Sequence, residues 1–107
     1  MTKVLTSYLQ LDEFTKNKNK LIFLFASSLP SEIKQLLIEC PIDIIIIDFK
    51  VFEALNKKYH VKQDLTLVFL DHEFVIYQTS DKQAIVNFLK LKELGHFQIF
   101  RFSINDN

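Results

Sequence analysis

Cysteine is nearly missing from this chain, with Cys40 alone among 107 residues. A single thiol excludes an intramolecular disulfide framework and any Cys-x-x-Cys pair. Glycine is equally scarce: Gly95 is the only one, proline occurs twice and tryptophan never. Arginine is represented by Arg101 alone, and 13 basic residues balance 13 acidic ones to a formal charge of zero. Nucleic-acid-binding surfaces carry a basic excess and arginines for bidentate contacts, so nucleic acid is set aside as a partner. Long hydrophobic runs are missing too. The longest, residues 21–26 and 44–47, fall far short of the roughly 18 residues of a membrane span. The first residues lack the apolar core of a signal peptide. No membrane association and a cytoplasmic location are the expectation.

Ile, Lys, Asn and Phe are abundant, as in chains encoded by AT-rich genes. That bias accounts for lysine over arginine and for the shortage of glycine without any functional cause. It does not account for the missing cysteines. With 49% hydrophobic residues and eleven Phe, the material for one core is ample, and residues 1–107 read as a single domain.

Val4–Leu9 reads as a short strand or as the lead-in to a helix, and Leu11–Lys16 as a helix with Leu11, Phe14 and Thr15 inward. After the polar break 17–20, Leu21–Phe25 is a continuous apolar run, the pattern of a strand buried on both faces. In the segment 31–40, Ile33, Leu36, Leu37 and Cys40 recur at i, i+3, i+4, i+7 and predict an amphipathic helix. Ser27 or Ser28 is the candidate cap, Pro30 suits a first turn, Glu32 suits the positive end of the helix dipole, and Pro41 ends the helix. Ile42–Asp48, with four consecutive isoleucines, is a second buried strand. Phe52–Tyr59 is predicted helical with Phe52, Leu55 and Tyr59 on one face. Leu65–Leu70 and Glu73–Gln78 are predicted as a hairpin around an Asp71-His72 turn. Ser80–Leu91 returns to helical spacing through Ile85, Phe88, Leu89 and Leu91, capped by Ser80, with Gly95 just beyond its end. From Leu21 the order is β-α-β-α-β-β-α, parallel strands first and a hairpin after, which implies one sheet covered by helices.

Over residues 3–92 this order and several local phrases resemble the thioredoxin family. Glu53-Ala-Leu-Asn-Lys-Lys-Tyr-His-Val61 is similar to the family's helix ending in a Lys-Tyr-Gly-Val turn. Asp64-Leu65-Thr66 stands at the family's Ile-Pro-Thr strand entry, and Asp71-His-Glu-Phe-Val75 at its Asn-Gly-Glu-Val turn. Ser80–Leu89 resembles the last helix. The resemblance implies an α/β, thioredoxin-like fold with a mixed central β-sheet and helices on both faces. The segment 93–107 is an extension containing a strand-like stretch. In 97–104 the alternate set Gln98, Phe100, Phe102, Ile104 is the more apolar, which suits a half-buried strand that covers a sheet edge or pairs with a partner chain.

The resemblance breaks at the site. It would place cysteines at Ser28 and Ser31, around Leu29 and a retained Pro30. A serine hydroxyl neither ionises near neutral pH nor forms a mixed disulfide. At Leu65 the family carries a cis-proline. A cis bond before a non-proline residue costs about 3–4 kcal/mol, so a trans Asp64–Leu65 bond is expected. Ser28, Leu29, Pro30, Ser31, Asp64, Leu65 and Thr66 thus form a vestigial site or binding surface, with Ser28 and Ser31 read as loop and cap.

No catalytic residue, cofactor or metal is assigned. His60, His72 and His96 lack both paired ligand spacing and triad logic. Asp48 and the pair Lys57-Lys58 read as a solvated strand end and helix face. Cys40 is read as a lone reactive thiol or as a small buried hydrophobe, and its place on the apolar helix face favours the latter. The functional expectation is a redox-inactive thioredoxin-like module that binds another protein, or itself as a homodimer through residues 97–104. The alternative is a monothiol redox protein using Cys40.

Overall fold

The structure, a computed structural model, describes residues 2–91. The expected strand at 97–104, Gly95 as a helix stop, and His96 lie outside the described residues. Nine elements follow one another: β1 (Thr2–Val4), α1 (Leu9–Thr15), β2 (Lys20–Phe25), α2 (Ser31–Glu39), β3 (Ile44–Ile47), α3 (Glu53–Lys58), β4 (Thr66–Asp71), β5 (Phe74–Thr79) and α4 (Lys82–Leu89). The strands form one sheet in the order β1-β3-β2-β4-β5. β1 and β2 flank β3 in parallel, whereas β4 runs antiparallel to β2, and β5 antiparallel to β4.

The apolar runs are continuous because the three central strands are covered on both faces. Successive side chains on a strand point to opposite sides. Ile22 and Leu24 of β2, Ile44 of β3, and Leu67 and Phe69 of β4 therefore share one core with α2 and α4. Phe23 and Phe25, Ile45 and Ile47, and Val68 and Leu70 share the other, with Phe52, Leu55 and Val61. Leu11 and Phe14 of α1 close that second core as half-buried residues. On the first side Ile33, Leu37 and Cys40 of α2 meet Ile85, Val86, Phe88 and Leu89 of α4.

Several local features differ from the sequence reading. The first strand stops at Val4, because the Thr6 amide and hydroxyl both donate to Gln10 Oε1, at 2.7 and 2.9 Å, and turn the chain into α1. Neither Ser27 nor Ser28 caps α2. Pro30 holds the cap position in extended geometry, and its carbonyl accepts from the Lys34 amide at 3.0 Å. Ser80 does not cap α4 either; the Asp81 carboxylate accepts from the Ala84 amide at 3.0 Å. The hairpin turn is His72-Glu73, one residue later than expected, with Asp71 paired to Phe74 across it. Both turn residues have positive φ, 50° and 72°, as a two-residue turn matching the right-handed strand twist demands.

The end of α3 shows how the chain turns without glycine. The Val61 amide donates to the Asn56 carbonyl at 2.8 Å and the His60 amide to the Lys57 carbonyl at 3.3 Å, the two bonds of a Schellman stop. His60 occupies the left-handed position at φ 55°, where the resembled turn has glycine.

Leu24 lies between α2 and the sheet with no exposed surface, and Ile38 on the outer side of α2 is 78% exposed. Truncating a fully buried leucine removes its transfer energy and leaves a cavity, about 2–5 kcal/mol. Leu24→Ala is expected to lose that much in urea unfolding, while Ile38→Ala stays within about 0.5 kcal/mol of the parent.

Candidate functional site

The strand directions bring five connections to one end of the sheet. The parallel strands β1, β2 and β3 finish there, β4 starts there opposite Phe25, and β5 finishes beside the start of β4. The segments 26–30, 48–52 and 62–65 and the starts of α2 and α4 therefore share this rim. Such an end of an open sheet, beyond the carboxyl ends of parallel strands, is where α/β folds place their sites.

Ser27 and Asp64 join two of these segments across 37 residues of sequence separation. The Ser27 amide donates to Asp64 Oδ1 at 2.8 Å, and the Ser27 hydroxyl donates to Asp64 Oδ2. One residue thus supplies both donors to the two oxygens of one carboxylate. Burial, the largest influence on Asp64, raises its pKa. The Ser27 hydroxyl, the Ser27 and Leu65 amides and the Lys50 charge lower it, and together they hold the carboxyl below the usual carboxylate range. Lys50 belongs to the β3–α3 connection, so a third segment contributes electrostatically.

Thr66 opens β4 and is buried. Its hydroxyl donates to the Gln63 carbonyl at 2.8 Å, which leaves the Ser80 hydroxyl, 2.7 Å away, to donate to Thr66 Oγ1. That bond ties the start of β4 to the connection entering α4. It also explains why Ser80 leaves the cap to Asp81.

The sequence-predicted residues are brought together in part. Leu29 and Leu65 both pack half-buried against the first core. Pro30 sets the entry of α2, Ser28 is exposed in the bend before it, and Ser31 is exposed as the first helical residue. The reading of Ser28 and Ser31 as loop and cap is corrected to loop and first helical turn. Among the described residues neither hydroxyl meets a base, and no group of His, Cys, Asp and Glu is placed to hold a metal ion. Asp64–Leu65 is trans, as are all the described peptide bonds. Leu65 adopts φ 66°, a value the proline ring forbids.

Cys40 is far from this rim. It is buried as the residue ending α2, whose first residue is Ser31. Nine helical residues rise about 13 Å, so the only thiol sits at the opposite end of the helix. Asp48 is a turn former: Oδ1 accepts from the Lys50 amide at 2.9 Å, and its carbonyl accepts from the Val51 and Phe52 amides at 3.2 and 3.1 Å. His72 lies at the hairpin tip beside Asp71, Nδ1 to Oδ1 2.6 Å. Lys57 and Lys58 are exposed, with the Lys58 ammonium over the Tyr59 ring, 5.4 Å from its centroid.

Ser27 is the site residue that the sequence reading treated only as a possible cap. Its signal was weak: one more serine in a Ser-Ser pair, with its acidic partner 37 positions away. The rim also carries exposed apolar groups, Tyr8 at 48% and Val51 at 61%. The Tyr8 ring meets Phe52 edge-on, centroids 4.9 Å apart.

Among solved structures the chain is similar to thioredoxins. It aligns with the Schistosoma mansoni thioredoxin pre-protein at TM-score 0.63 and 11% identity, over 83% of this chain and 95% of that one. Fasciola hepatica thioredoxin aligns at TM-score 0.61 and 16% identity, over 85% and 99%. Mitochondrial thioredoxin 3 of Saccharomyces cerevisiae aligns at 0.60 and 16%, over 83% and 93%. No family model and no curated protein matches the sequence. At these identities the likeness defines the architecture: this is a thioredoxin fold. Among the described residues no helix is long and apolar enough to cross a membrane.

Leu65→Pro tests the rim's backbone. Proline cannot take φ 66°, and a proline forced into an incompatible conformation costs more than about 1 kcal/mol; urea unfolding should show a loss of at least that size. Asp64→Asn tests the clamp. A carboxyl whose folded pKa is depressed contributes stability that is present above its unfolded pKa and lost as pH falls through the folded value. The parent should exceed Asp64→Asn by about 1 kcal/mol at pH 6, a figure discounted for the exposure of Asp64. The gap should close as pH drops below about 4.

Proposed function

We propose that this domain is a redox-inactive thioredoxin-like module that binds another protein through the rim formed by Ser28, Leu29, Pro30, Ser31, Asp64, Leu65 and Thr66. The observation that carries the reading is the state of the polar groups there. The groups that cross the rim are spent on one another, Ser27 on Asp64 and Thr66 on Gln63 and Ser80. The exposed groups there include two serines without a base and the apolar Tyr8 and Val51. Such a surface offers shape and apolar area to a partner and no nucleophile. The proposal places the protein in the cytoplasm, where a lone free cysteine stays reduced.

The second reading, a monothiol redox protein, rests on Cys40. Its burial and its position at the far end of α2 speak against it. Thiolate chemistry needs a partially exposed sulfur in an electropositive setting.

Dithiothreitol-driven reduction of insulin disulfides separates the two. The full chain and Cys40→Ser should both leave the uncatalysed rate unchanged. Cys40 of the native protein should react with a thiol reagent at least tenfold more slowly than in urea. Turnover that disappears in Cys40→Ser would overturn the proposed function in favour of the monothiol reading.

A further inference from the structure

The start of α1 and the β3–α3 connection make a second corner of the rim, next to the one held by Ser27 and Asp64. The Tyr8 ring joins these two segments by standing edge-on to Phe52, which is buried in the second core. Leu9 and Val51 are the chain neighbours of the two rings. Tyr8 and Val51 face water, and Leu9 is 89% exposed. The inner face of α1 is already supplied by Leu11 and Phe14, so packing within the chain gives Leu9 no task. Single apolar residues on a surface need no explanation, but a group of them around an aromatic ring marks a contact site.

The charges of this corner have one sign. Asp12 is one helical turn from Tyr8 and Leu9, Glu13 is one turn from Leu9, and Asp48 and Glu53 bracket Val51 in sequence. Three of the four have local reasons. Asp12 and Glu53 sit in first helical turns, where the dipole favours them, and Asp48 shapes its own turn. Even so, the ion pairs among the described residues engage none of the four. Within residues 7–13 and 48–53 Lys50 is the only cation, and its charge acts on Asp64 in the other corner. Each helix start returns about half a positive charge. The four carboxylates therefore leave this corner about two charges negative, in a chain whose formal charge is zero.

We propose that this corner binds a segment of another protein in which lysine or arginine stands beside a large apolar side chain. The apolar group covers Tyr8, Leu9 and Val51, and the cation lies among Asp12, Glu13, Asp48 and Glu53. This assignment rests on the rim being a protein-binding surface and adds the chemistry of its partner. Apolar contact supplies the hold, while the charge selects the partner and speeds its approach. The same field repels nucleic acid and anionic lipid.

Selection of a displayed library of random dodecapeptides on the full chain tests this, with enriched peptides resynthesised for fluorescence anisotropy. The expected sequences carry lysine or arginine beside leucine, isoleucine, phenylalanine or tryptophan, and their Kd rises with salt. Kd should rise about tenfold or more in Leu9→Ser/Val51→Ser, which keeps every charge. It should rise similarly in Asp12→Asn/Glu53→Gln, which keeps every apolar group. All four positions are exposed, so the urea midpoint should hold in both variants. Ser28→Gln/Ser31→Gln, in the other corner, should leave Kd unchanged. Enriched peptides without basic residues, or binding that ignores either of the first two variants, overturn the proposal. If binding is then lost in Ser28→Gln/Ser31→Gln, the rim still binds protein and only the partner's chemistry is wrong. An absence of enrichment removes both readings. Self-association by light scattering that disappears in Leu9→Ser/Val51→Ser also overturns the proposal, because the occupant is then a second copy.

Discussion

Burial of one sheet on both faces at once governs this molecule. β2, β3 and β4 are each flanked by strands on both sides and covered above and below, so every apolar residue in them belongs to one core or the other. A slip of one residue in any of the three would exchange its two sets of side chains between unlike environments. The second core is aromatic around β2, with Phe23 and Phe25 against Tyr59 at 5.5 and 6.4 Å between centroids. The first is mostly aliphatic, from Ile22 and Leu24 to Ile33, Leu37 and Ile85. Phenylalanine and isoleucine do not trade places at constant volume in a close-packed interior. Register therefore follows from packing, and register fixes which connections meet at the rim.

Scarcity of glycine is the second constraint, and it falls on the connections. Asn17, His60, Leu65, His72 and Glu73 all hold positive φ. Each pays a steric cost of about 1–2 kcal/mol that glycine would avoid, which the packing around each turn must offset. His60 does so through the two hydrogen bonds that close α3. Leu65 does so by packing on the first core while its amide faces the Asp64 carboxylate. The rim thus owes its shape to a left-handed leucine locked between Asp64 and Thr66, a conformation that no proline at this position could share.

The order of elements was legible because hydrophobic runs and helical spacing are local signals, and Leu21–Phe25, Ile44–Ile47 and the face Ile33–Leu37 carry them without ambiguity. That the chain has no thiol pair and carries leucine at position 65 was equally plain, being a matter of which residues stand where. Helix caps were misread at Ser28 and Ser80 for a physical reason. A serine before a helix has the same local signature whether its hydroxyl turns to the helix or to a distant partner. Ser80 is drawn to Thr66, and Pro30 occupies the position that Ser28 would need. The clamp between Ser27 and Asp64 is likewise a product of tertiary structure, since only the pairing of Phe25 with Thr66 brings those residues together.

The start of α2 at the rim carries no thiol. The amide end of a helix carries partial positive charge and lowers the pKa of a cysteine placed on it. At α2 that end is occupied by Ser31, whose hydroxyl is too weak an acid to answer the same field, and by Glu32, an acidic residue of the first turn. Glu32 in turn lies 3.8 Å from Lys82 at the start of α4. Exposed pairs of this kind contribute little stability, about 0–1 kcal/mol, but they settle the sign of the surface. The start of α2 thus carries a hydroxyl and an acidic side chain, and the carboxylate of Asp64 is engaged by Ser27. Cysteines placed at 28 and 31 would stand at a helix start that already carries Glu32, across the rim from a leucine at φ 66°.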